Sequence, residues 1–423
     1  MNSYILKNAR VIDPGRNIDT KGDIGVDQDG RFAEPAALAG AQVIDLEGKV
    51  VAPGFIDVHV HLRHPGNTLA ETIATGTAAA AAGGFTSIVA MPNTKPAADT
   101  VGSIELFHRL VSQDAVVRVL PCGCMTVGLA GEEMAPIGSL KSAGVVALSD
   151  DGKCIQDHAL MRRIVEYAKA FELPIMDHCE EYKLAEGGVM HEGKWSVLLG
   201  MNGIPAAAEE IIIARNIIFA RQIDWKIHMQ HVSTAGSVKL LRAARAEGVK
   251  VTGEATPHHL TLTDECIKKF DTNYKMNPPL RSEEDRLALI EGVADDTITV
   301  IATDHAPHTR TAKEVEFDYA PCGIIGLETA FSVCYTELVK KGVISLPRLI
   351  GKMTTGPADV LGIKAYDMAP GKAADFVVLD PEAAYVIDKN TFKSKSRNTP
   401  FDRREVCGKV MMTAVGGKIV HQA

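Results

Sequence analysis

The 423-residue sequence lacks the features that mark several classes of protein. It contains no apolar run long enough to span a bilayer, and its N-terminus, MNSYILKNARVID, has no long apolar core of the secretory kind. It also has no Lys/Arg run, and its net charge of −8 argues against a nucleic-acid surface. We therefore expect a cytoplasmic protein that binds neither a membrane nor a nucleic acid.

Paired cysteines of the zinc-knuckle kind are missing as well. Cys122 and Cys124 are close together, as CGC, but no second pair follows at a matching spacing. The eight cysteines are otherwise scattered, which fits reduced thiols in the cytoplasm. Apolar residues make up 46% and charged residues 23% of the chain, the proportions of an ordinary globular protein. The length allows one large domain and a smaller one.

Short apolar runs alternate along the chain with helical segments. Segments such as HALMRRIVEYAKAF and GSVKLLRAARAEG carry apolar residues at the helical period. The runs between these segments are GFIDVHVHL, TSIVAMPN, AVVRVLP, GVVALSDD, LPIMDHC, WKIHMQH, VKVTGEATP and TITVIATDH. Eight strand–helix units over about three hundred residues predict an α/β fold, a closed (β/α)8 TIM-like barrel.

The two ends of the chain have a different pattern. Both contain strand-like runs without helical segments, broken near the N-terminus by turn sequences such as PGRN and QDGR. We expect residues 1–52 and 366–423 to pair into one small composite β-sandwich domain. The barrel would then occupy residues 53–365.

The first predicted barrel strand, GFIDVHVHLRHPG at 54–66, carries an unusual set of polar residues. Because side chains alternate along a strand, Asp57, His59, His61 and Arg63 would share one face. The opposite face, predicted to pack against helices, would carry the aliphatic residues Ile56, Val58, Val60 and Leu62. Two imidazoles two residues apart at one strand end can bind one metal ion. A half-exposed edge strand with solvated histidines fits the continuous apolar face less well.

Polar side chains recur where the predicted strands end, which is where barrels of this kind carry their catalytic residues. The residues at these ends are His59, His61, Arg63, Asn93, Asp150, Asp151, His178, His231, Asp304, His305 and His308. Four histidines and two carboxylates on one rim predict a two-metal site, and this mixture of ligands suits Zn²⁺.

Six motifs, DVHVHLR, SDDG, DHCE, HVST, MNPPLR and TDHAPH, together resemble those of the class I, bacterial long-chain dihydroorotases of the amidohydrolase superfamily. The resemblance covers nearly the whole chain, including GKAADFVVLD near its end. It implies a cyclic amide hydrolase that interconverts N-carbamoyl-L-aspartate and (S)-dihydroorotate in pyrimidine (UMP) biosynthesis, with one or two Zn²⁺ per chain. It also implies a small-molecule substrate and two candidate assemblies, a homodimer and a complex with aspartate transcarbamoylase.

The resemblance also implies roles for single residues. Asp151 would bridge two metals, and Asp304 would lie beside them as general base and acid. The implied metal ligands are His59, His61, Asp151, His178, His231 and Asp304. The implied substrate contacts are Arg63, Asn93 and His308 at the carboxylate, Asn277 at the ring, and Cys322 and Gly323 in the neighbouring chain.

Several alternatives stay open at this point. Asp150 competes with Asp151 for the bridging role. A hydantoinase or allantoinase would usually carry a bridging lysine where this chain has SDDG, and an inactive scaffold for transcarbamoylase would usually have lost some of the ligands. His64 stands where the family usually has Glu, and alternation turns it away from the metals, so we expect a packing or supporting role. The polar segment 309–321 is either a mobile lid or a surface loop.

Overall fold

The computed structural model describes residues 2–363 and 367–423. Its strands fall into two large sheets and one small parallel pair. In chain order the strands are β1 Tyr4–Asp13, β2 Ile18–Val26, β3 Phe32–Ala33, β4 Gln42–Asp45, β5 Val50–Pro53, β6 Phe55–Val60, β7 Phe85–Ala90, β8 Arg118–Gly123, β9 Ala147–Leu148, β10 Ile175–Asp177, β11 Met190–His191, β12 Gly203–Ile204, β13 Ile227–Met229, β14 Val251–Ala255, β15 Val300–Ile301, β16 Phe376–Val386, β17 Glu405–Val415 and β18 Lys418–Gln422.

Eight strands form a parallel barrel in the spatial order β6-β7-β8-β9-β10-β13-β14-β15. Each of the eight runs predicted from the sequence overlaps one of these strands. The sheet closes on itself beyond β15, because Val60 pairs in parallel with His305 and the His61 N–H donates to the His305 carbonyl at 2.9 Å. The predicted (β/α)8 barrel is confirmed.

Helices separate the barrel strands. Several begin at a threonine whose hydroxyl accepts from the third helical N–H, as Thr72 does from Thr75 at 3.1 Å and Thr234 from Ser237 at 3.1 Å. The helices are α1 Ile73–Ala82, α2 Val101–Asp114, α3 Ile137–Ser142, α4 His158–Ala170, α5 Tyr182–Ala185, α6 Lys194–Leu199, α7 Ala207–Ile223, α8 Ala235–Ala246, α9 Pro257–Thr261, α10 Glu283–Ala294, α11 Arg310–Lys313, α12 Ala330–Cys334, α13 Leu346–Lys352 and α14 Thr355–Leu361.

The first barrel strand does not face the way that strict alternation predicts. Ile56 and Val58 belong to a cluster that takes residues from six barrel strands and from α14, so they point into the barrel. Val60 and Leu62 pack with the helix residues, as expected. The facing predicted for Ile56 and Val58 is wrong because the pairing of β6 with β7 shifts register between Asp57 and Val60. This irregularity lets Val58 and the metal-site histidines face the same interior.

The strands at the two chain ends join into one mixed sheet, in the order β18-β17-β16-β5-β1-β2-β3, with β4 also paired to β1. The predicted composite β domain is confirmed. Along β16, Phe376 and Val378 enter an apolar cluster formed within this domain, while Val377 and Leu379 join the large core shared with the barrel helices. Both faces of the central strands are therefore buried, and one of them fixes the domain to the barrel.

The boundaries of the two units stay a prediction. Strand β5 ends at Pro53 and β6 begins at Phe55, whereas the predicted boundary between 365 and 366 lies outside the described residues. Within residues 2–363 and 367–423, no helix has the length and apolar character needed to cross a membrane.

Candidate active site

The six predicted metal ligands come together at the C-terminal rim of the barrel. His61, Asp151, His178, His231 and Asp304 each follow the end of a barrel strand, and His59 is the penultimate residue of β6. All six are buried, and their donor atoms form three overlapping groups within 4.8 Å. The groups are His59–His61–Asp151, His59–His231–Asp304 and Asp151–His178–His231. The strand ends thus supply one shared cluster.

Asp151 lies at the centre of this cluster. Its Oδ1 is 3.2 Å from Nε2 of His59, and its Oδ2 is 3.2 Å from Nε2 of His61. On the other side, Oδ1 is 3.8 Å from Nδ1 of His178 and 3.7 Å from Nε2 of His231. Burial alone would raise the pKa of Asp151, but the surrounding histidines outweigh it and hold the pKa well below its ordinary value. One ionised carboxylate therefore contacts all four imidazoles.

Asp150 has a different environment from its neighbour. Its Oδ1 accepts from the backbone N–H groups of Met125 at 2.7 Å and Thr126 at 3.1 Å, and its Oδ2 accepts from the Thr126 hydroxyl. Burial raises its pKa to about 6. Both oxygens are thus used to hold the chain after β8, so the geometry favours Asp151 as the bridging ligand.

Two acceptors fix the imidazoles of the first strand. Nδ1 of His61 lies 3.0 Å from Oδ1 of Asn93, and Nδ1 of His59 lies 2.6 Å from Oε1 of Glu254. If Nδ1 of each ring donates its hydrogen to these oxygens, the Nε2 lone pairs point toward Asp151. Both histidines are then ready to bind a cation through Nε2.

Glu254, at the end of β14, is the main residue of the site that the sequence analysis missed. Burial alone would raise its pKa, but the charge of His59 and hydrogen bonds from His228 and His59 lower it to about 2. The signal in the sequence is a lone glutamate inside the apolar run VKVTGEATP. A buried carboxylate requires a partner, and the partners of Glu254 are the histidines opposite it.

The second pair of histidines is arranged differently. Nδ1 of His178 and Nε2 of His231 are 2.8 Å apart and converge on the Asp151 side of the cluster. Nε2 of His178 instead faces Glu180 at 3.5 Å, on the side of the cavity. His178 thus presents Nδ1 to the cluster, whereas the other three histidines present Nε2.

Asp304 is the more accessible of the two clustered carboxylates. Its Oδ1 is 3.0 Å from Nε2 of His61 and 3.5 Å from Nε2 of His59. Its side chain is 11% exposed, compared with 3% for Asp151. It therefore borders the cavity, where a proton can pass to or from a bound molecule.

This donor set fits a metal ion. Nε2 of His59 is fully buried and makes no hydrogen bond among the described residues, although two carboxylates lie within 3.5 Å of it. An unpaired imidazole nitrogen facing two ionised carboxylates is stabilised by a cation between them. The mixture of imidazole nitrogen and carboxylate oxygen belongs to the range that zinc accepts.

The predicted substrate contacts line a cavity of about 280 Å³ over the cluster. The wall includes all of them: Arg63, Asn93, Asn277, His308, Cys322 and Gly323, beside the metal-site residues His61, Asp151, His178, His231 and Asp304. His59 lies behind this wall. The structure brings the predicted residues together, and the role of each one stays a prediction.

Arg63 is held by a single contact. Its Nε donates to the Pro307 carbonyl at 3.2 Å, the one hydrogen bond that the guanidinium makes within the described part of the chain. The two Nη groups are therefore free to form a fork of donors in the cavity wall. Such a fork matches the two oxygens of a carboxylate.

His308 is less ready for a carboxylate. Its Nε2 lies 2.8 Å from the Cys322 carbonyl and donates to it, which leaves Nδ1 as an acceptor. Burial, with a smaller contribution from Arg63, lowers its pKa to about 3, so the ring is neutral. His308 can therefore donate a hydrogen bond to a carboxylate only if Nε2 leaves the Cys322 carbonyl.

The segment 309–321 is tied to its surroundings. Lys313 donates from Nζ to the Thr272 carbonyl at 3.0 Å and to the Pro321 carbonyl at 2.7 Å, and Phe317 is buried. These contacts favour an ordered loop in this structure, and whether it opens as a lid stays a prediction. His64 is partly buried beyond the end of β6, and its Nδ1 makes no hydrogen bond within the described residues.

Known proteins match this chain along its whole length. The Dihydro-orotase-like family model matches residues 48–237. A dihydroorotase of Pelotomaculum thermopropionicum is 49% identical over 421 residues, covering 99% of this chain and 98% of its own. The chain belongs to the dihydroorotase family. Another family member, a dihydroorotase of Caldanaerobacter subterraneus subsp. tengcongensis, is 47% identical over 426 residues, with 99% and 97% coverage.

The fold relates the dihydroorotase family to other cyclic amide hydrolases. An L-hydantoinase (dihydropyrimidinase) from Arthrobacter aurescens superposes with a TM-score of 0.89 at 26% identity, covering 100% of this chain and 96% of that chain. The chain is accordingly a metal-dependent cyclic amide hydrolase with the amidohydrolase barrel, and its His/Asp cluster has a donor set that can hold a metal ion.

Proposed function

We propose that this chain catalyses the reversible interconversion of N-carbamoyl-L-aspartate and (S)-dihydroorotate, with zinc as its metal. The observation that carries the proposal is that one cavity of about 280 Å³ is lined both by Asp151 with His61, His178 and His231 and by Arg63. A cyclic amide that also bears a carboxylate needs both groups. In pyrimidine synthesis the reaction would run toward ring closure.

Zinc ions held by the six ligands would supply Lewis acidity, which lowers the pKa of water from 15.7 to about 7 and polarises a carbonyl. The residues of the chain supply the remaining requirements. In the hydrolytic direction Asp304 accepts a proton from the attacking water as the new C–O bond forms at the ring carbonyl. Asp304 then delivers that proton to the ring nitrogen as the C–N bond breaks. Ring closure is the reverse of these steps.

Positioning would come from other residues of the cavity wall. The Arg63 fork would hold the substrate carboxylate, and Asn277 would contact the ring. Nδ2 of Asn277 donates to Oε2 of Glu180 at 2.7 Å, while its Oδ1 has no hydrogen-bond partner among the described residues. That oxygen would accept a ring N–H, which gives the amide a defined orientation toward the substrate.

The wider setting follows from the same proposal. We place the reaction in the cytoplasm, with a homodimer and a complex with aspartate transcarbamoylase as the candidate assemblies. A hydantoinase-like activity is the alternative, since a hydantoinase shares the fold. The aspartate at the fourth strand end, where hydantoinases usually carry a bridging lysine, argues against it.

The test is an activity assay of the purified, zinc-loaded protein in both directions, with hydantoin and allantoin as competing substrates. Turnover confined to dihydroorotate and carbamoyl aspartate would support the proposal. Faster turnover of hydantoin or allantoin would replace it with the alternative. If none of them reacts, adding the transcarbamoylase tests the scaffold interpretation, because activity that appears only then would show that the partner is required.

A further inference from the structure

Glu254 makes three contacts with histidines, and each has a defined geometry. Oε1 lies 2.6 Å from Nδ1 of His59 and accepts from the His231 backbone N–H at 3.1 Å. Oε2 lies 3.0 Å from Nε2 of His228. The carboxylate is fully buried, so water cannot replace any of these partners. It therefore contacts one histidine from each of the two predicted metal-binding pairs.

These contacts determine which nitrogen of His59 can bind a metal. A carboxylate only accepts hydrogen bonds, so the nitrogen beside it must carry the hydrogen. The lone pair of His59 is then on Nε2, 3.2 Å from Oδ1 of Asp151 and without a hydrogen bond within the described residues. If Glu254 were neutral or absent, the ring could instead carry its hydrogen on Nε2 and donate to Asp151, which would block the metal position.

The backbone of His231 shows a second effect of the same oxygen. His231 has a φ of 31°, in the left-handed region that non-glycine residues rarely adopt. The hydrogen bond from its N–H to Oε1 of Glu254 holds this turn just beyond β13. This turn of the backbone keeps the imidazole of His231 beside Asp151.

His228 holds Glu254 from the opposite side. Its Nδ1 lies 2.8 Å from Oγ1 of Thr252, and its Nε2 contacts Oε2 of Glu254. Both Thr252 and Glu254 belong to β14, and His228 belongs to β13, so two adjacent strands fix the carboxylate. The chain Thr252–His228–Glu254–His59 runs inside the barrel toward the metal cluster.

We infer that Glu254, held by His228, is a positioning residue that sets the tautomer of His59 and the backbone turn of His231, and thereby determines how tightly the metal cluster forms. The inference rests on the metal-dependent function proposed above. An outer carboxylate of this kind typically contributes about 10–100-fold to metal affinity. A residue needed only for folding would alter the stability of the protein without this effect.

The decisive experiment measures zinc transfer from the full-length, zinc-loaded enzyme to a chromophoric chelator. Glu254→Gln is isosteric and removes the charge, and Asp57→Asn is the matched control. Asp57 is equally buried in the barrel, but it accepts from the backbone N–H groups of His59 at 3.0 Å and Thr303 at 3.2 Å and from the Thr303 side chain, and it pairs with no imidazole within the described residues. We expect Glu254→Gln to release zinc about 10-fold more readily and Asp57→Asn to stay within about threefold of the native enzyme.

Two further measurements separate a loosened cluster from a misfolded protein. The Tm of each variant after metal removal reports the fold alone, and the visible spectrum of the Co²⁺-substituted protein reports ligand geometry. We expect Glu254→Gln to change the Co²⁺ spectrum more than Asp57→Asn does, at similar metal-free Tm. If Glu254→Gln does not fold, His228→Gln is measured instead, because it removes the support of Glu254 and keeps the carboxylate.

Each outcome is decisive. Zinc affinity and a Co²⁺ spectrum that are unchanged in Glu254→Gln, or in His228→Gln where that variant replaces it, would overturn the inference. So would an equal loss of zinc in Asp57→Asn, since any buried carboxylate would then matter equally. If the native enzyme itself binds neither zinc nor cobalt, the proposed metal-dependent function fails, and this result is distinct because it does not depend on the variants.

Discussion

The histidines of the cluster are supported from two directions. His59 has its Nδ1 against the fully buried Glu254 at 2.6 Å, whereas His61 has its Nδ1 3.0 Å from Asn93, which lines the cavity. His178 instead turns Nε2 toward Glu180, whose side chain is 17% exposed, on the side of the cavity. His59 is therefore set by the protein before any substrate arrives. His61 and His178 are supported at the cavity, by Asn93 and by Glu180, which accepts from Asn277 of the wall, so theirs is the support that substrate binding can adjust.

The neighbouring carboxylates Asp150 and Asp151 also differ in their surroundings, and their pKa values differ accordingly. Four histidines surround Asp151 and keep its pKa low, whereas backbone N–H groups and a hydroxyl surround Asp150, and burial raises its pKa to about 6. A buried carboxylate is strongly ionised where a cationic partner can face it. Asp151 thus supplies the negative charge of the cluster, whereas Asp150 holds the chain after β8.

The largest effect should come from Asp304, the carboxylate on the cavity side of both pairs. We expect Asp304→Asn to lower kcat by about 10²–10⁴-fold, because asparagine cannot carry the proton between water and ring nitrogen. Zinc content should stay at the native level, since the amide oxygen can still face the cluster. Turnover of dihydroorotate and metal analysis of the same sample check both parts. Retained turnover would remove Asp304 as the proton carrier.

Two alanine variants test most directly whether Asp151 or Asp150 binds the metals. Loss of a residue that only supports a metal ligand typically weakens metal binding by about 10–100-fold. Asp151→Ala should weaken zinc binding by more than this, because it removes the carboxylate between the two histidine pairs. Asp150→Ala should leave zinc binding near native and lower Tm instead, because it leaves the N–H groups of Met125 and Thr126 without their acceptor. Metal titration and thermal unfolding of both variants check this pair. The reverse result would exchange the two assignments.

Replacing Arg63 tests whether the cavity wall binds the substrate carboxylate independently of the metal cluster. We expect Arg63→Ala to raise KM for dihydroorotate by about 10–100-fold, since charge-assisted hydrogen bonds contribute about 1.5–3 kcal/mol. Dihydrouracil, the same ring without the carboxylate, should lose little. Arg310→Ala is the matched control, because this arginine pairs with Glu314 on the surface, is 86% exposed and is not among the residues that line the cavity. Equal losses on both substrates would contradict a carboxylate clamp.

Sequence patterns predicted the parts of the site that depend on strand ends. The runs ending in LSDD, MDHC, MQH and ATDH each place a ligand where a parallel strand must end, so a barrel brings them to one rim. Glu254 was not predictable in this way, because its partner His59 is 195 residues away and only barrel closure makes them neighbours. The facing of Ile56 and Val58 failed for another reason. A register shift at β6 is a property of strand pairing, which alternation along one strand does not contain.

Glu328 is a glutamate that, within residues 2–363 and 367–423, has no histidine partner. Its oxygens accept from the backbone N–H groups of Lys393 at 2.8 Å and Ser394 at 3.0 Å. Burial raises its pKa to about 7, and these hydrogen bonds and the more distant charge of Arg397 do not offset it. Glu254 shows the opposite outcome, with a pKa of about 2 beside two histidines.

The raised pKa of Glu328 predicts a loss of stability as the pH rises. Between its ordinary value of 4.5 and about 7, the unfolded chain has lost the proton that the folded chain keeps. The free energy of unfolding therefore falls through this window, by at most about 3 kcal/mol. Glu328→Gln cannot titrate, so its Tm should fall less between pH 5 and pH 8, by about 2 °C for each kcal/mol removed. Glu382→Gln, at an exposed glutamate paired with Lys340, should keep the native slope. A native slope in Glu328→Gln as well would show that backbone hydrogen bonds alone keep this partly buried carboxylate ionised.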